Sequence, residues 1–318
     1  MDNNTLNVIY SSDDNYAQHM GVSIYSLLDK NTTEFNEINI YVIENHISKG
    51  NKAKLDQVVD KFKNANCYWI SFDSYINQLN INMLWPISIS SYARLFISSM
   101  LSEDVDRVLY LDCDMIINDS LKELWQYDLA ENIIGAVQDP VSDSTKKAVG
   151  LANNDKYFNA GMLLINILLW REFKIEDKIK EFLDKHNGQV THHDQGVLNG
   201  VLKDNITFLP LKYNVMTIQY FMDRDQWLKY FANNAKYYSN EEYECSKINP
   251  AIIHFTPSLT TRPWVKGCKH PLKNKYWDYL AVSPWSDSRP TVDNRKWYVK
   301  ILDYLYRHFP NLMLRIKY

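Results

Sequence analysis

VDRVLYLDCDMII, residues 105–117, decides the fold. Val108, Leu109, Tyr110 and Leu111 form a continuous apolar run, the pattern of a central strand covered on both faces. The run ends in Asp112-Cys113-Asp114. Read as one extended strand through Ile117, the stretch places the two carboxylates, at i and i+2, on the same face. Acids side by side repel and cost desolvation unless positive charge sits between them. A divalent cation supplies that charge, and Mg²⁺ or Mn²⁺ suits oxygen ligands. An Asp-x-Asp triplet is common by chance as two solvated acids at a strand end; the four apolar residues ahead of this one favour the metal.

Working outward, the amino-terminal side alternates strand and helix. Asn7–Ser11 reads as a strand, Ser12–Asn15 as a polar turn, and Tyr16–Leu28 as a helix that Asp14 or Asn15 could cap. Ile38–Ile43 is a second strand. Lys49–Phe62 carries Leu55, Val58, Val59 and Phe62 at helical spacing, and Cys67–Phe72 is a third strand. This alternation predicts a parallel α/β sheet. Ligands of such sheets sit at the carboxyl ends of the strands, so the turn holding Asp13 and Asn15 is a natural nucleotide site. Ser90–Leu101 reads as a further helix.

On the carboxyl side, Ile133–Val137 is a strand ending at Gln138-Asp139-Pro140, and Phe158–Ile167 is another apolar stretch. Glu176–Lys185 and Asp194–Leu202 read as helices. Ala251–Phe255 is a last strand that carries His254 to the rim of the Asp-x-Asp pair. A lone histidine is more often a satisfied, partly buried one; at this rim its imidazole could complete a metal site and would favour Mn²⁺ over Mg²⁺. Tyr157-Phe158-Asn159-Ala160-Gly161 puts small residues at a strand mouth, where a ligand can approach the backbone, and Asn159 offers both donor and acceptor. His192-His193-Asp194-Gln195 reads on its own as exposed histidines before a helix-capping aspartate.

Composition bounds these readings. The 318 residues are 46% hydrophobic and 23% charged, which is ample for a packed soluble core. A net charge of −3 gives no global pull toward nucleic acid. The cysteines, Cys67, Cys113, Cys245 and Cys268, form no close pair, which argues against a zinc site or disulfide framework and for a reducing compartment. No signal peptide or spanning segment is visible, so the expected location is cytoplasmic. From about Arg262 the character changes. Residues 289–318 hold seven Lys or Arg against two Asp, mixed with Trp, Tyr, Leu and Ile. Trp297, Ile301, Tyr304, Leu305 and His308 recur at helical spacing until Pro310 interrupts. Two readings stand: a helix docked on the main body, or a peripheral membrane contact.

The segments Ser12-Asp13-Asp14-Asn15-Tyr16, Ser91-Tyr92-Ala93-Arg94-Leu95, VLYLDCDMII, YFNAGMLLIN, HHDQGVLNG and HF…RPW occur in this order over about residues 6–264. In these the sequence resembles glycosyltransferase family 8, the retaining transferases that include bacterial lipopolysaccharide α-galactosyltransferases and glycogenin. The resemblance implies a GT-A fold, an α/β architecture with a Rossmann-like mixed sheet flanked by helices. It implies a catalytic domain over residues 1–264; residues 265–318 read, from their composition and spacing, as a basic, aromatic, helical extension. The implied reaction moves galactose or glucose from a UDP-sugar to a carbohydrate acceptor on lipid or protein, forming an α-linkage. Asp112, Asp114 and His254 would be the metal ligands. Ser11, Asp13 and Asn15 would meet the uridine, with Tyr16 over the uracil ring. Arg94, Asp139, Asn159, Ala160, Asp194 and Gln195 would surround the donor sugar, and Gln195, Asp194 and Asp139 would carry the chemistry. Many relatives place Gly-Lys after the histidine; here the longer stretch His254–Trp264 offers Arg262 for the diphosphate. Pro86–Ser91 aligns with an acceptor-facing stretch.

Two alternatives compete. Haloacid-dehalogenase-like phosphatases also place Asp-x-Asp after an apolar strand, but near the chain start and with Thr or Val where Ile116 stands. A family member without turnover, binding sugar nucleotide as partner to an active transferase, is opposed by the intact Asp112, Asp114, Asp194 and His254.

Overall fold

The computed structural model describes residues 4–76 and 89–317. Of the stretch Pro86–Ser91, expected to face the acceptor, Pro86, Ile87 and Ser88 lie outside the described residues. The leading strands and helices follow the sequence pattern: β1 is Thr5–Asp13, α1 is Ala17–Asn31, β2 is Glu37–Asn45, α2 is Lys49–Val59 and β3 is Ala65–Ser71. The capping expectation is corrected. Neither Asp14 nor Asn15 caps α1; Asp13 accepts from the Asn15 amide and caps a short 3-10 turn ahead of it. Asp14 instead accepts from the Ser48 amide and the Asn51 side chain, tying the turn to the start of α2.

The stretch 105–117 is two strands, not one. β4 is Arg107–Leu111 and β5 is Met115–Ile117, with a turn at Asp112–Asp114 between them. The break lets the chain change sheets. β4 lies in a seven-stranded sheet of order β3-β2-β1-β4-β7-β6-β8, where β6 is Ile134–Gln138, β7 is Phe158–Asn166 and β8 is Ile206–Phe208. β5 joins a small sheet of order β5-β10-β9, with β9 at Val215–Met216 and β10 at Ile252–His254. Ser90–Leu101, read as one helix, falls in a 3-10 stretch, Ile89–Phe96, followed by one helical turn, Ile97–Met100.

The large sheet is mixed rather than parallel throughout. β1, β2, β3 and β4 run parallel, but β7 is antiparallel to both β4 and β6. The reversal brings the amino end of β7 to the rim where β1, β4 and β6 end. Alternation along the strands splits the core onto two faces. Leu6, Val8, Tyr10, Leu109, Leu111, Met162 and Leu164 pack under α1 and α2. Ile9, Val108, Tyr110, Leu163 and Ile165 pack against the helices Ile175–Lys185 and His193–Leu202. Each fully buried Leu, Ile or Val contributes about 1.5–3 kcal/mol, so the strands that present the site stand on a well-buried core. Beyond Trp264, the helix Lys273–Ala281 buries Tyr276 and Leu280, and two further helices, Trp297–His308 and Pro310–Lys317, end the chain. Among the described residues no helix is long and apolar enough to cross a membrane, and the four cysteines are free thiols.

Candidate active site

The turn at the end of β4 is held from three sides. The Asp112 amide donates to the Gly161 carbonyl at 2.8 Å, the Cys113 thiol turns inward to the Ser11 carbonyl at 3.2 Å, and the Asp114 carbonyl accepts from the Phe255 amide at 2.9 Å. Burying Cys113 leaves the flanking carboxylates on the opposite side. Because β10 pairs antiparallel with β5, His254 falls opposite Met115 and lands beside them. One ligand atom from each of Asp112, Asp114 and His254 lies within 4.8 Å of the other two.

Each carboxylate divides its oxygens. Asp114 Oδ1 and Asp112 Oδ2 face His254 Nε2 at 3.1 and 3.8 Å. The outer oxygens take arginines: Asp112 Oδ1 accepts from Arg94 and Asp114 Oδ2 from Arg262, both at 2.8 Å. Burial works against the Asp114 charge, yet Arg262 and His254 hold its carboxyl well below the usual carboxylate range. Gly161 completes the cradle. A Cβ there would stand 2.6 Å from His254 Cε1 and 2.7 Å from Asp112 Oδ2. Two carboxylate oxygens and an imidazole nitrogen, converging around space that a methyl group would fill, form a donor set that fits Mn²⁺ or Mg²⁺.

This cradle opens into a cavity of about 690 Å³ at the point where strand order reverses between β1 and β4. Ser11, Asp13, Tyr16, Arg94, Asp112, Asp114, Asp194, Gln195 and Arg262 line it, together with Ser90 and Tyr110, which sequence reasoning did not single out. Asn15 is exposed and off the wall. The Ser11 hydroxyl donates to the Ser90 carbonyl at 2.7 Å, tying β1 to the 3-10 stretch. Tyr16 stands edge-on to Trp264, which stacks on His19 at 3.6 Å between centroids. Burial, with Arg262 nearby, pushes His19 down to about 3. The ring is therefore neutral, and it meets the Tyr276 hydroxyl at 2.7 Å.

Arg94 is buried and shared. It donates to Asp112 and to the Ser91 and Ala160 carbonyls, pairs with Asp194 at 2.9 Å, and lies over the Tyr110 ring. Burial opposes its charge but the two aspartates overcome this and keep it cationic. For Asp194, burial outweighs an arginine that it shares with Asp112, and its carboxyl rises above the ordinary range. Asp194 does not cap its helix; His192 precedes the first turn and makes no capping bond. His192 and His193 have left-handed backbones, φ 60° and 54°, and both line the cavity. Such strain in non-glycine residues gathers at functional sites.

Asp139, Asn159 and Ala160 lie behind this wall. Asp139 accepts from Asn159 at 3.1 Å and from Gln195 at 3.3 Å, and the Ala160 amide donates to Gln195 Oε1 at 3.0 Å. Burial raises the Asp139 carboxyl, against the Asn159 bond. One residue of this layer escaped the sequence reading: Asn214, fully buried ahead of β9, which bridges His254 and Asn159 at 2.9 Å each. Its only sequence signal is an amide before a two-residue apolar strand, too short for periodicity to register.

Residues 7–268 match the family model Glycosyl transferase family 8. The chain is 28% identical over 284 residues to General stress protein A of Bacillus subtilis, covering 88% of this chain and 95% of that one. It is 28% identical to the lipopolysaccharide 1,3-galactosyltransferase of Salmonella typhimurium, over 90% of this chain and 80% of that one. Among solved structures, the galactosyltransferase LgtC with donor and acceptor sugar analogs superposes with a TM-score of 0.71 at 26% identity, covering 88% of this chain and 96% of that one. An LgtC active-site variant with glutamine changed to glutamate gives 0.72 at 26% identity, covering 93% and 100%. The fold is GT-A, as the sequence resemblance implies.

Proposed function

Because the chain belongs to glycosyltransferase family 8, we propose that it moves galactose or glucose from a UDP-sugar to a carbohydrate acceptor with retention of configuration, using Mn²⁺, or Mg²⁺, at Asp112, Asp114 and His254. The observation that carries this reading is the convergence of those three donors on the floor of a cavity walled by Arg94, Asp194 and Gln195. The bound cation supplies charge neutralisation and orientation for a diphosphate leaving group.

The remaining roles follow from the side chains. The turn Ser11–Asp13 and the Tyr16 ring offer a hydrogen-bonding edge and an aromatic face for the uridine. Arg94 holds the outer oxygen of Asp112, which leaves Oδ2 turned toward His254. Gln195 has one lone pair on Ala160, one N–H on Asp139 and a hydrogen bond to Tyr157, which leaves the amide oxygen's second lone pair for the sugar. An amide is a poor nucleophile, and Asp194 is tied to Arg94. Both facts favour a front-face substitution through an oxocarbenium-like state, in which Gln195 stabilises the developing charge and Asp194 orients hydroxyls. Asp139 sits behind Gln195 and fixes it. That a variant of LgtC at an active-site glutamine was made supports the weight placed on Gln195.

We place the protein in the cytoplasm, with its acceptor carried on lipid or protein and its terminal helices at an anionic membrane surface. The outward apolar stripe on those helices favours this location. The decisive experiment measures UDP release from UDP-galactose and UDP-glucose with and without Mn²⁺, beside thermal shifts with UDP, CDP, GDP and ADP. Metal-dependent release, with stabilisation by UDP well above the other nucleotides, is expected, since a ligand that binds only the folded state raises its melting temperature. Release by metal-stripped protein, or equal shifts for all four nucleotides, removes the reading.

A further inference from the structure

One backbone amide reads out the buried network behind the site without ambiguity. A backbone N–H can only donate. The Gly161 amide donates to one end of the Asn159 side chain at 3.0 Å, so that end is the oxygen, Oδ1. The group that meets the same Oδ1 from Asn214, at 2.9 Å, must therefore be the Asn214 NH₂. The other end of Asn214 is then its carbonyl oxygen, and it lies 2.9 Å from His254 Nδ1. An oxygen there requires Nδ1 to carry the proton, which leaves the Nε2 lone pair facing Asp112 and Asp114. The far side of Asn159 agrees: its NH₂ meets Asp139, which can only accept when ionised.

We propose that Asn214 is the positioning residue of the metal centre, fixing His254 as the Nδ1–H tautomer with its ring aimed so that Nε2 is the ligand atom. The inference rests on the metal reading of Asp112, Asp114 and His254. Nothing else in the described surroundings of His254 does this work. Its backbone is set by β10, but strand pairing leaves the ring free to turn, and an imidazole turned over would present a proton to the cation. Partners of this kind behind a metal-bound histidine raise its basicity and lock its tautomer, and losing one costs about 10–100-fold in metal affinity. Asn214 is 0% exposed and lies ahead of the two-residue β9, which is parallel to β10, so its own side chain has one place to go.

The test combines a tautomer measurement with metal binding. On metal-free protein with ¹⁵N-labelled histidine at about pH 8, above the ordinary histidine pKa, long-range ¹H–¹⁵N correlation reports which ring nitrogen carries the proton. The His254 signal is the one lost in His254→Gln. Protonated Nδ1 is expected; protonated Nε2 overturns the proposal. Mn²⁺ titration followed by electron paramagnetic resonance then compares Asn214→Leu with Asn214→Asp. Leucine removes the acceptor, and Mn²⁺ affinity is expected to fall about 10–100-fold. Aspartate keeps an acceptor for Nδ1–H but loses the N–H given to Asn159 Oδ1, so its Mn²⁺ affinity is expected to lie between wild type and leucine. Wild-type affinity in a folded Asn214→Leu, or equal loss in both variants, overturns it. Should either variant fail to fold, the wild-type tautomer decides alone. Wild-type protein that binds no Mn²⁺ at all removes the metal reading instead, and the tautomer result is independent of that outcome.

Discussion

At the scale of single residues, the site is built from close approaches that tolerate little change. Gly161 is the clearest. Its missing side chain is the space in which Asp112, His254 and Asn159 meet, and a methyl group would fall within 2.6–3.0 Å of all three. Gly161→Ala is therefore expected to fold, because its carbonyl and amide bonds to Asp112 and Asn159 use only backbone atoms of its own. It should nevertheless lose Mn²⁺ affinity by about tenfold or more, as displaced ligands do. Wild-type affinity measured by the same titration would show that the side chains yield without harm. Asp114 gives a second residue-scale prediction, and its sign follows from its depressed carboxyl. A carboxylate held below its unfolded value contributes stability that is full above that value, ordinarily 3.8 for aspartate, and is lost as pH falls through the folded one. Asp114→Asn should cost about 1.5–3 kcal/mol at pH 7 in metal-free protein, the range for a charge-assisted bond. The difference in unfolding free energy should shrink as pH drops below about 4. A penalty that grows in acid would mean that the arginine pair adds nothing.

At the scale of elements, the proposed contact with a diphosphate rests on the stretch Phe255–Trp264. In the structure Arg262 lies against Asp114, with its guanidinium 5.8 Å from the rings of both Tyr16 and Trp264. It is thus poised at the cradle before any diphosphate arrives, and a second anion beside Asp114 would share it. Arg262→Ala is expected to weaken UDP binding about tenfold to a hundredfold, the loss of one charge-assisted bidentate contact. Unchanged UDP affinity by calorimetry would hand the role to Lys266 or Lys269, both exposed on the following loop. The same scale shows what was legible in sequence. The strands and helices of residues 5–71 could be read because each buries one periodic face. The break at Asp112–Asp114 could not, because apolar residues flank it on both sides and both halves are buried. Nor could the reversal of β7, since strand direction is settled by the partner strand and leaves no local mark. Motif order picks out Asp112, Asp114 and His254, which the structure brings together, and the Asp194-Gln195 pair, which it places on the cavity wall. The residues that hold them, Asn214 above all, were not legible, because a buried amide at the mouth of a two-residue strand has no pattern around it.

At the scale of the whole molecule, charge and apolar surface are gathered at one end of the chain. Residues 289–318 carry seven Lys or Arg against two Asp, in a chain whose net charge is −3. The helical periodicity of Trp297, Ile301 and Tyr304 is present, but the stripe points to solvent: the three are 72%, 48% and 51% exposed. The opposite side of the helix makes the contacts. Arg307 donates to the Leu259 carbonyl, Tyr306 packs edge-on against Tyr230, and Asp303 pairs with Arg295. The next helix buries Leu314 while leaving Leu312 and Ile316 exposed. The terminal helices are thus docked by a partly polar face and present their aromatic and aliphatic one, with Lys296, Lys300, Arg315 and Lys317 exposed among these residues. An aromatic and aliphatic stripe flanked by cations matches the headgroup region of an anionic bilayer. Each cation near such a surface contributes about 1 kcal/mol, enough together for reversible attachment that salt would release. Co-sedimentation with vesicles of anionic and of neutral lipid, comparing the full chain with one ending near Arg289, tests this. The full chain should pellet with anionic vesicles at low salt, and Trp297→Ser with Ile301→Ser should reduce that binding with little change in melting temperature, because both side chains are largely or half exposed. If the full chain stays in solution with anionic vesicles at low salt, the stripe has no lipid partner and the terminal helices serve the catalytic body alone.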